Sequence, residues 1–155
     1  MTTPLSAPLP PSKRSRVVLG LTAAAALGRF ELQRCARCST VQYPPREACH
    51  RCLSVDLEWT LQSGTGQLIA KTTLFHSHEP FFKQHLPWRV GLVRLDAGPN
   101  VVTHLHASVT VAPSAVQVTA RLDCAGQAAL IACLPGEHST LTDDPNIRHL
   151  LGASK

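Results

Sequence analysis

The sequence predicts a mainly β protein made of an N-terminal helix, a small metal-held β unit and a five-stranded barrel. Three observations support this fold class. Four of the six cysteines stand in two close pairs, and twelve prolines with nine glycines favour short strands and turns over a helical bundle. Five apolar, strand-like segments then follow the second cysteine pair. Hydrophobic residues make up 44% of the chain and aromatic residues only 5%, so aliphatic side chains must fill the core.

The first predicted unit, residues 1–28, is an arm followed by a helix. Residues 1–12 are rich in Pro, Ser and Thr, which is typical of an extended arm. Lys13-Arg14-Ser15-Arg16 then precedes the apolar stretch Val17–Leu27, and this order also matches a secretory signal. The alternative is an amphipathic or Ala-rich helix from Arg16 to Leu27, capped at its C-terminus by Gly28.

The predicted helix carries an apolar surface and lies in the basic part of the chain. Of the formal net charge of +5, a charge of +4 precedes the first cysteine, so the rest of the chain is nearly balanced. This distribution gives weak support for nucleic-acid binding. A small metal-held unit can hardly cover the apolar surface, so we expect the helix to pack on a partner molecule. The residues of this surface are Val17, Val18, Leu19 and Leu21.

Two cysteine pairs predict a structural metal site made of Cys35, Cys38, Cys49 and Cys52. Each pair has the spacing of a zinc-ribbon knuckle, a tight turn that points two sulfurs at one ion. Zn²⁺ accepts four thiolates in tetrahedral geometry, and such a site is closed to water and therefore structural. Iron in a rubredoxin-like site uses similar spacing and stays open as an alternative. Two disulfides are not favoured, because each would close a small strained ring.

The metal site lies in a predicted ribbon of residues 29–62. Its expected strands are Phe30–Gln33, Val41–Tyr43 and Leu57–Leu61. A unit this small cannot form a core without its ion. Knuckles often place glycine after their second cysteine, where the backbone needs a positive φ. Ser39 and Leu53 stand there in this chain, so we expect a less regular geometry.

The metal site also bears on where the protein resides. Thiolates that bind metal fit a reducing compartment better than an exported protein. We therefore expect a cytoplasmic protein and interpret residues 13–28 as a helix rather than a signal. We expect no membrane association, because no apolar run reaches the about 20 residues of a membrane-spanning helix.

Residues 63–136 predict a five-stranded Greek-key barrel of the OB type. A glycine-rich corner at residues 63–66, a turn at 96–100 and a longer loop at 76–87 separate the strands. The remaining residues, 137–155, form a polar tail that we expect to be partly helical around Pro145–Leu151. The expected barrel strands are Gln67–Phe75, Trp88–Leu95, Val101–Ala107, Val116–Leu122 and Ala128–Leu134.

Several segments together resemble a known family. They are Gly28-Arg29-Phe30-x-Leu32-Gln33-Arg34-Cys35, Pro44-Pro45-Arg46-x-x-Cys49, Ser63-Gly64-x-Gly66, the strand with Thr72-Thr73, and Gly91-Leu92-Val93-x-Leu95-Asp96-x-Gly98-Pro99. Over roughly residues 20–136 the chain is similar to domain of unknown function 35 (DUF35), which joins a rubredoxin-like zinc ribbon to an OB-fold. It departs from the family at Pro113-Ser114-Ala115-Val116, where a glycine usually precedes the valine, so we expect a different barrel corner there.

The resemblance implies a function that residue spacing does not. Members of this family are small partner subunits of acyl-CoA thiolases, acyltransferases and lipid-transfer-type aldolases of the thiolase superfamily. The partner holds the catalytic groups, and the small subunit supports them and helps to bind CoA or to shape the acyl pocket. We therefore expect a non-catalytic accessory subunit with structural Zn²⁺. Its expected partner is thiolase-like or lipid-transfer-protein-like, with acyl-CoA as a shared ligand.

The long loop of the predicted barrel holds the candidate contacts to CoA or to a partner. Exposed aromatic rings beside a lysine suit either role. The alternative is that Phe81, Phe82 and Trp88 plug the end of the barrel. The candidate contact residues are His76, His78, Phe81, Phe82, Lys83 and Trp88.

Other histidines and cysteines stand outside this loop. His104 and His106 lie two residues apart on one predicted strand and therefore share a face. A second metal site or an acid–base pair is one interpretation, and histidines at the barrel rim are the favoured one. Cys124 and Cys133 lie on apolar segments without a polar constellation, so we expect buried thiols.

Two further functions are less favoured. Zinc ribbons and OB barrels both occur in proteins that bind single-stranded nucleic acid, through stacking aromatics and a basic groove. Here the predicted strands are nearly free of aromatics, and the charge lies in the N-terminal segment. An independent enzyme ranks last, because the sequence shows no nucleophile motif and no carboxylate pair.

Overall fold

The computed structural model describes residues 6–137 and 139–153 and confirms the predicted fold class. Residues 1–5 of the expected arm and His138, 154 and 155 of the expected tail lie outside this part. Three helices occur, α1 Leu19–Ala26, α2 Pro80–Gln84 and α3 Pro145–Leu151, together with 3-10 turns at Arg16–Val18 and Leu141–Asp143. The strands are β1 Glu31–Cys35, β2 Val41–Gln42, β3 Leu57–Leu61, β4 Thr65–Leu74, β5 Trp88–Leu95, β6 Asn100–Leu105, β7 Ser114–Leu122 and β8 Ala128–Cys133.

The ribbon is a three-stranded antiparallel sheet in the order β2-β1-β3. The middle strand, β1, pairs Gln33 with Gln42 on one side and with Trp59 on the other. Its Leu32 is fully buried in the main core together with Phe30, which immediately precedes it. The ribbon and the barrel therefore share one hydrophobic core.

The barrel is closed in the order β4-β5-β6-β8-β7, with β7 pairing back to β4. All neighbours are antiparallel except β6 and β8, which run parallel through His104↔Ile131 and Leu105↔Ala132. This order is that of the five-stranded OB-type Greek-key barrel. Strand β7 starts at Ser114, inside the segment that departs from the DUF35 pattern, and Ser114 pairs with Leu68.

Helix α1 packs on the chain itself, so the expectation that it packs on a partner is wrong. Leu21 and Ala25 lie in the main core, and the helix contacts β1, β7 and β8. Gly20 faces the indole of Trp59 so closely that a Cβ there would lie 2.1 Å from a ring carbon. The helix spans the junction of ribbon and barrel, so two sheets cover it rather than the ribbon alone. Only part of its apolar surface stays open, as at Leu19, which is 60% exposed.

Two helices pack on the barrel, one in the segment expected to be a loop and one in the tail, where a helix was expected at Pro145–Leu151. The loop between β4 and β5 holds α2, which begins with Pro80 at its first turn. The tail folds into α3, in which Ile147 and Leu150 are buried against the outer side of the barrel. In the part of the chain that the structure describes, no helix is both long and apolar enough to cross a membrane.

Candidate metal centre and barrel-end site

The two knuckles bring four sulfurs to one point. The Sγ atoms of Cys35, Cys38, Cys49 and Cys52 all lie within 4.8 Å of one another. The Cys35–Cys52 and Cys38–Cys49 pairs are each 3.6 Å apart. A disulfide needs about 2.05 Å, whereas four sulfurs at about 2.3 Å from one Zn²⁺ are about 3.8 Å apart. The arrangement therefore fits a tetrahedral thiolate metal site and not two disulfides.

Each knuckle closes with a backbone hydrogen bond to its first cysteine. Ser39 N–H donates to Cys35 O at 2.8 Å, and Leu53 N–H donates to Cys49 O at 3.0 Å. These turns require a left-handed backbone, with φ of 63° at Ser39 and 62° at Leu53. The knuckles thus keep the regular geometry although neither position is a glycine, and the backbone strain is borne by a serine and a leucine.

A buried pair of glutamines, which the sequence analysis did not single out, positions the second knuckle. Gln42 Nε2 donates to Gln33 Oε1 at 2.9 Å, while Gln42 Oε1 accepts from His50 N at 3.0 Å. Gln33 in turn bonds both backbone groups of Arg46, through Nε2 to O at 2.9 Å and through Oε1 from N at 2.8 Å. Both side-chain amides lie in the ribbon sheet. Their hydrogen bonds hold the second knuckle, because the ribbon has no separate hydrophobic core of its own. The only sequence signal was two glutamines on predicted strands.

The pKa values of two of the four cysteine thiols show why the site needs a cation. The Thr40 hydroxyl, 3.2 Å from Cys38 Sγ, lowers the pKa of Cys38 to about 6. At Cys52 the Ser54 backbone amide favours the thiolate, but burial and the neighbouring thiols of Cys35, Cys38 and Cys49 outweigh it and raise the pKa to about 11. Thiolates this close repel one another, so a divalent cation is what permits all four to ionise together.

The candidate contact residues divide into a buried and an open group. Phe81 and Trp88 are only 3% and 2% exposed and pack with Ala129 and Leu150 on the outer side of the barrel, so they are buried there without plugging its end. Phe82 is half-buried against the same cluster. His76, His78 and Lys83 are exposed on the loop and on α2.

His104 contacts the aromatic side chains of this cluster. The Trp88 indole Nε1–H donates to His104 Nδ1 at 3.0 Å, and the Phe82 ring stacks on the imidazole with centroids 6.1 Å apart. Burial, and then the nearby charge of Arg14, lower the pKa of His104 to about 4. The sequence placed His104 on a strand with His106 but gave no sign of this contact, because its partners, Phe82 of α2 and Trp88 of β5, are distant in the sequence.

His106 and the two cysteines outside the ribbon do not join these sites. His106 Nδ1 accepts from Ser108 N at 3.1 Å, and its buried Nε2 has no partner in the structure. In residues 6–137 and 139–153, the only group of three or more potential metal ligands is the four-cysteine cluster. Cys133 is fully buried, and burial raises its pKa to about 11, whereas Cys124 is half-buried.

Comparison with known families decides the relationship of the chain. Residues 22–58 match the model of the ChsH2 rubredoxin-like zinc ribbon domain, and residues 59–130 match that of the ChsH2 C-terminal OB-fold domain. The chain belongs to the ChsH2 family. The resemblance to DUF35 drawn from the sequence is thereby confirmed, since a solved member carries both names.

Two known proteins are similar to this chain. A solved structure described as "Ltp2-ChsH2(DUF35) aldolase" matches with a TM-score of 0.64 and 28% identity, over 79% of this chain and 97% of the matched one. A protein of Thermomonospora curvata, described as "Probable enoyl-CoA hydratase alpha subunit", is 36% identical over 90 residues, or 58% of this chain. The matched part is 27% of that relative, so the ChsH2-family chain spans only about a quarter of its length.

Proposed function

We propose that this ChsH2-family chain is a non-catalytic accessory subunit of a complex that acts on acyl-CoA. Its partner is a thiolase-superfamily or lipid-transfer-protein-like subunit that holds the catalytic groups. One observation carries this function: the chain matches almost the whole of a chain from the Ltp2-ChsH2(DUF35) aldolase. The relative described as a probable enoyl-CoA hydratase alpha subunit is named for a reaction on acyl-CoA, which supports acyl-CoA as the ligand of the complex. In this proposal the partner determines the reaction.

The chemistry of the cysteine cluster supports a structural metal. Four sulfur donors complete the tetrahedral coordination of Zn²⁺ and leave no position for water or substrate. Cys35 and Cys49 are also buried, which removes the centre further from solvent. We infer that the metal is zinc and that it holds the ribbon together. Metal analysis of the purified chain distinguishes zinc from iron.

The open residues of the barrel end are the proposed contacts with the partner or with CoA. Lys83 carries a positive charge on α2 that suits a phosphate or a partner carboxylate. Next to it, Phe82 shows part of its ring, and the exposed His76 and His78 rings meet edge to face with centroids 4.8 Å apart. Aromatic side chains are enriched in protein interfaces, and a lysine beside them suits the polar rim of such an interface.

A pull-down of the tagged chain from lysate of its own source tests this function. We expect a thiolase-like or lipid-transfer-protein-like subunit in near-equal amount and one zinc per chain in the same eluate. The K83E variant should recover several-fold less partner, while R37E, which reverses an exposed charge on the first knuckle, should recover as much as the wild type. Recovery of no such subunit contradicts the accessory role. Steep, salt-dependent binding to single-stranded oligonucleotides would then favour the nucleic-acid alternative.

A further inference from the structure

Two hollows meet at His104 on the outer face of the barrel. One, of about 220 Å³, lies between α2 and the sheet and is lined mainly by apolar side chains, among them Leu74, Phe82 and Val90. The other, of about 280 Å³, continues on the far side of His104 and Val90 and has Arg14 at its rim. The two volumes together reach the size of an ordinary small-ligand site.

The hydrogen bond of His104 determines which of its ring nitrogens is available to a ligand in these hollows. Indole Nε1–H is a donor only, so His104 Nδ1 must accept from Trp88, and the proton of the neutral ring is on Nε2. Nε2 makes no hydrogen bond within the described part of the chain and is not fully buried. The ring stays neutral over the physiological range because burial lowers its pKa to about 4. His104 therefore presents one uncharged N–H donor and no free acceptor.

A donor without an acceptor, set among apolar walls, selects the kind of ligand. A carbonyl oxygen attached to an alkyl chain satisfies this donor, whereas an alcohol or an amine would also leave its own proton without an acceptor. Arg14 adds a positive charge on one side only, which suits a ligand whose polar end is anionic. These features fit a ligand with a carbonyl oxygen, an alkyl chain and an anionic end, and an acyl thioester on an anionic carrier is such a molecule.

We propose that the two hollows form an acyl-binding site in which His104 Nε2–H donates a hydrogen bond to the thioester carbonyl oxygen. The alkyl chain lies between α2 and the sheet, against Phe82 and Val90, and the anionic carrier leaves past Arg14. This inference rests on the proposed function, because acyl-CoA is the thioester that the complex would supply. It gives the chain a share in selecting the acyl group, beyond support of a partner.

The metal-loaded full chain provides a direct test, with octanoyl-CoA as the probe. The indole N–H resonance of Trp88, assigned with a W59F variant, reports on the neighbouring His104. Octanoyl-CoA should shift this resonance in a saturable way. S-octyl-CoA, a thioether that lacks the carbonyl, should bind about five- to tenfold more weakly for want of one hydrogen bond. CoA alone should leave the resonance in place.

Three variants separate the site from a general effect on folding. H104F keeps an aromatic ring beside Phe82 but has no donor, so it should bind octanoyl-CoA and S-octyl-CoA equally. V90F fills both hollows and should abolish the shift, whereas V111A, an exposed residue that lines neither hollow, should behave as the wild type. If H104F does not fold, V90F and the two ligands still decide the outcome.

The result also separates this site from the proposed accessory role. Equal affinity of the wild type for both ligands, or no shift at Trp88, overturns the acyl site. If the partner subunit still co-purifies in that case, the accessory role stands alone. If octanoyl-CoA binds as described and no partner co-purifies, the acyl site stands and the accessory role fails.

Discussion

At the scale of single residues, Leu53 combines two unfavourable features. Its backbone is left-handed, with φ of 62°, and its side chain is 78% exposed. Left-handed geometry costs a residue with a Cβ about 1–2 kcal/mol, and solvent exposure leaves the apolar side chain without compensating burial. The turn is nevertheless kept, because the Leu53 amide must reach Cys49 O to close the knuckle.

Replacing Leu53 by glycine should therefore increase stability. We expect L53G to raise the free energy of unfolding by up to about 1 kcal/mol, since relief of the strain exceeds the about 0.5–1 kcal/mol of backbone entropy that glycine loses. Urea denaturation of the metal-loaded chain measures the change. Val55 is equally exposed but has no positive φ, so V55G should instead destabilise the chain. A loss of stability in L53G as large as that in V55G would contradict the strain.

His104 should make the stability depend on pH. Its pKa is about 4 in the folded chain and about 6.5 in the unfolded one, so the unfolded chain binds more protons between these values. Stability should fall as the pH decreases from about 6.5 to about 4, by on the order of 3 kcal/mol. Arg14 adds to this effect, because its charge also disfavours the imidazolium.

Urea denaturation at several pH values, with two matched variants, tests the contribution of His104. H104Q does not titrate and should show a flatter profile over this window than the wild type. H78Q removes an exposed histidine and should keep the wild-type slope. Identical slopes for the wild type and H104Q would show that His104 is not the group responsible.

At the scale of elements, one buried carboxylate holds the C-terminal segment on the barrel. Asp144 Oδ2 accepts from Ala107 N at 2.8 Å and from the Arg89 guanidinium of β5. Its Oδ1 accepts from Asn146 N at 2.9 Å and so caps the N-terminus of α3. Asp144 is 2% exposed, and it therefore joins α3, β5 and the end of β6 through one side chain.

Removal of this carboxylate should detach α3. We expect D144A to lower the free energy of unfolding by about 3 kcal/mol, because it deletes a helix cap and leaves the Ala107 amide and the Arg89 charge without their partner. D143A, at the exposed neighbouring position, should change it by less than about 0.5 kcal/mol. Hydrogen exchange should show faster exchange of the α3 amides in D144A. Protection of α3 equal to that in D143A would contradict this role.

At the scale of the whole molecule, the ribbon, helix α1 and the barrel pack around one hydrophobic core. Leu21 of α1 and Leu32 of β1 lie in the same cluster as Leu68, Val93 and Val116 of the barrel. The proposed metal would stabilise the ribbon, and the ribbon covers part of the barrel core. Loss of the metal should therefore weaken the barrel as well.

Metal removal tests this coupling. A chelator should lower the midpoint of thermal unfolding by more than about 10 °C, and re-added zinc should restore it. Hydrogen exchange at Val93 and Val116 should also accelerate, although both lie in the barrel. C35S should lose the metal, while C124S should keep one metal per chain. Unchanged protection of the barrel amides would mean that the ribbon folds independently.

Much of this architecture follows from local patterns in the sequence. Cysteine spacing predicts the cluster because two ligands separated by two residues in a tight turn can reach one ion whatever surrounds them. Alternating apolar residues place most strands within about two residues, since a strand with one buried face has a period of two. The short helix α2 was missed, because five residues carry too little periodicity to be distinguished from a loop.

The barrel-end site, in contrast, depends on contacts between distant segments. Trp88 and His104 are 16 residues apart, and Arg14 comes from the N-terminal segment. No local pattern indicates that the Trp88 indole donates to His104 Nδ1 and thereby places the imidazole proton on Nε2. The same holds for Phe81 and Phe82: these neighbouring identical residues differ in burial because α2 turns the Phe81 ring toward the outer side of the barrel.

The sequence by itself determined the four-cysteine cluster, the order of helix, ribbon and barrel, and the resemblance to DUF35, because each depends on residue type and short spacing. Only the tertiary structure decided that α1 covers the chain's own core, that Asp144 fastens the tail and that His104 lies between two hollows. These features arise where the closed barrel brings remote segments together, and burial there sets both the charge and the proton position of a side chain.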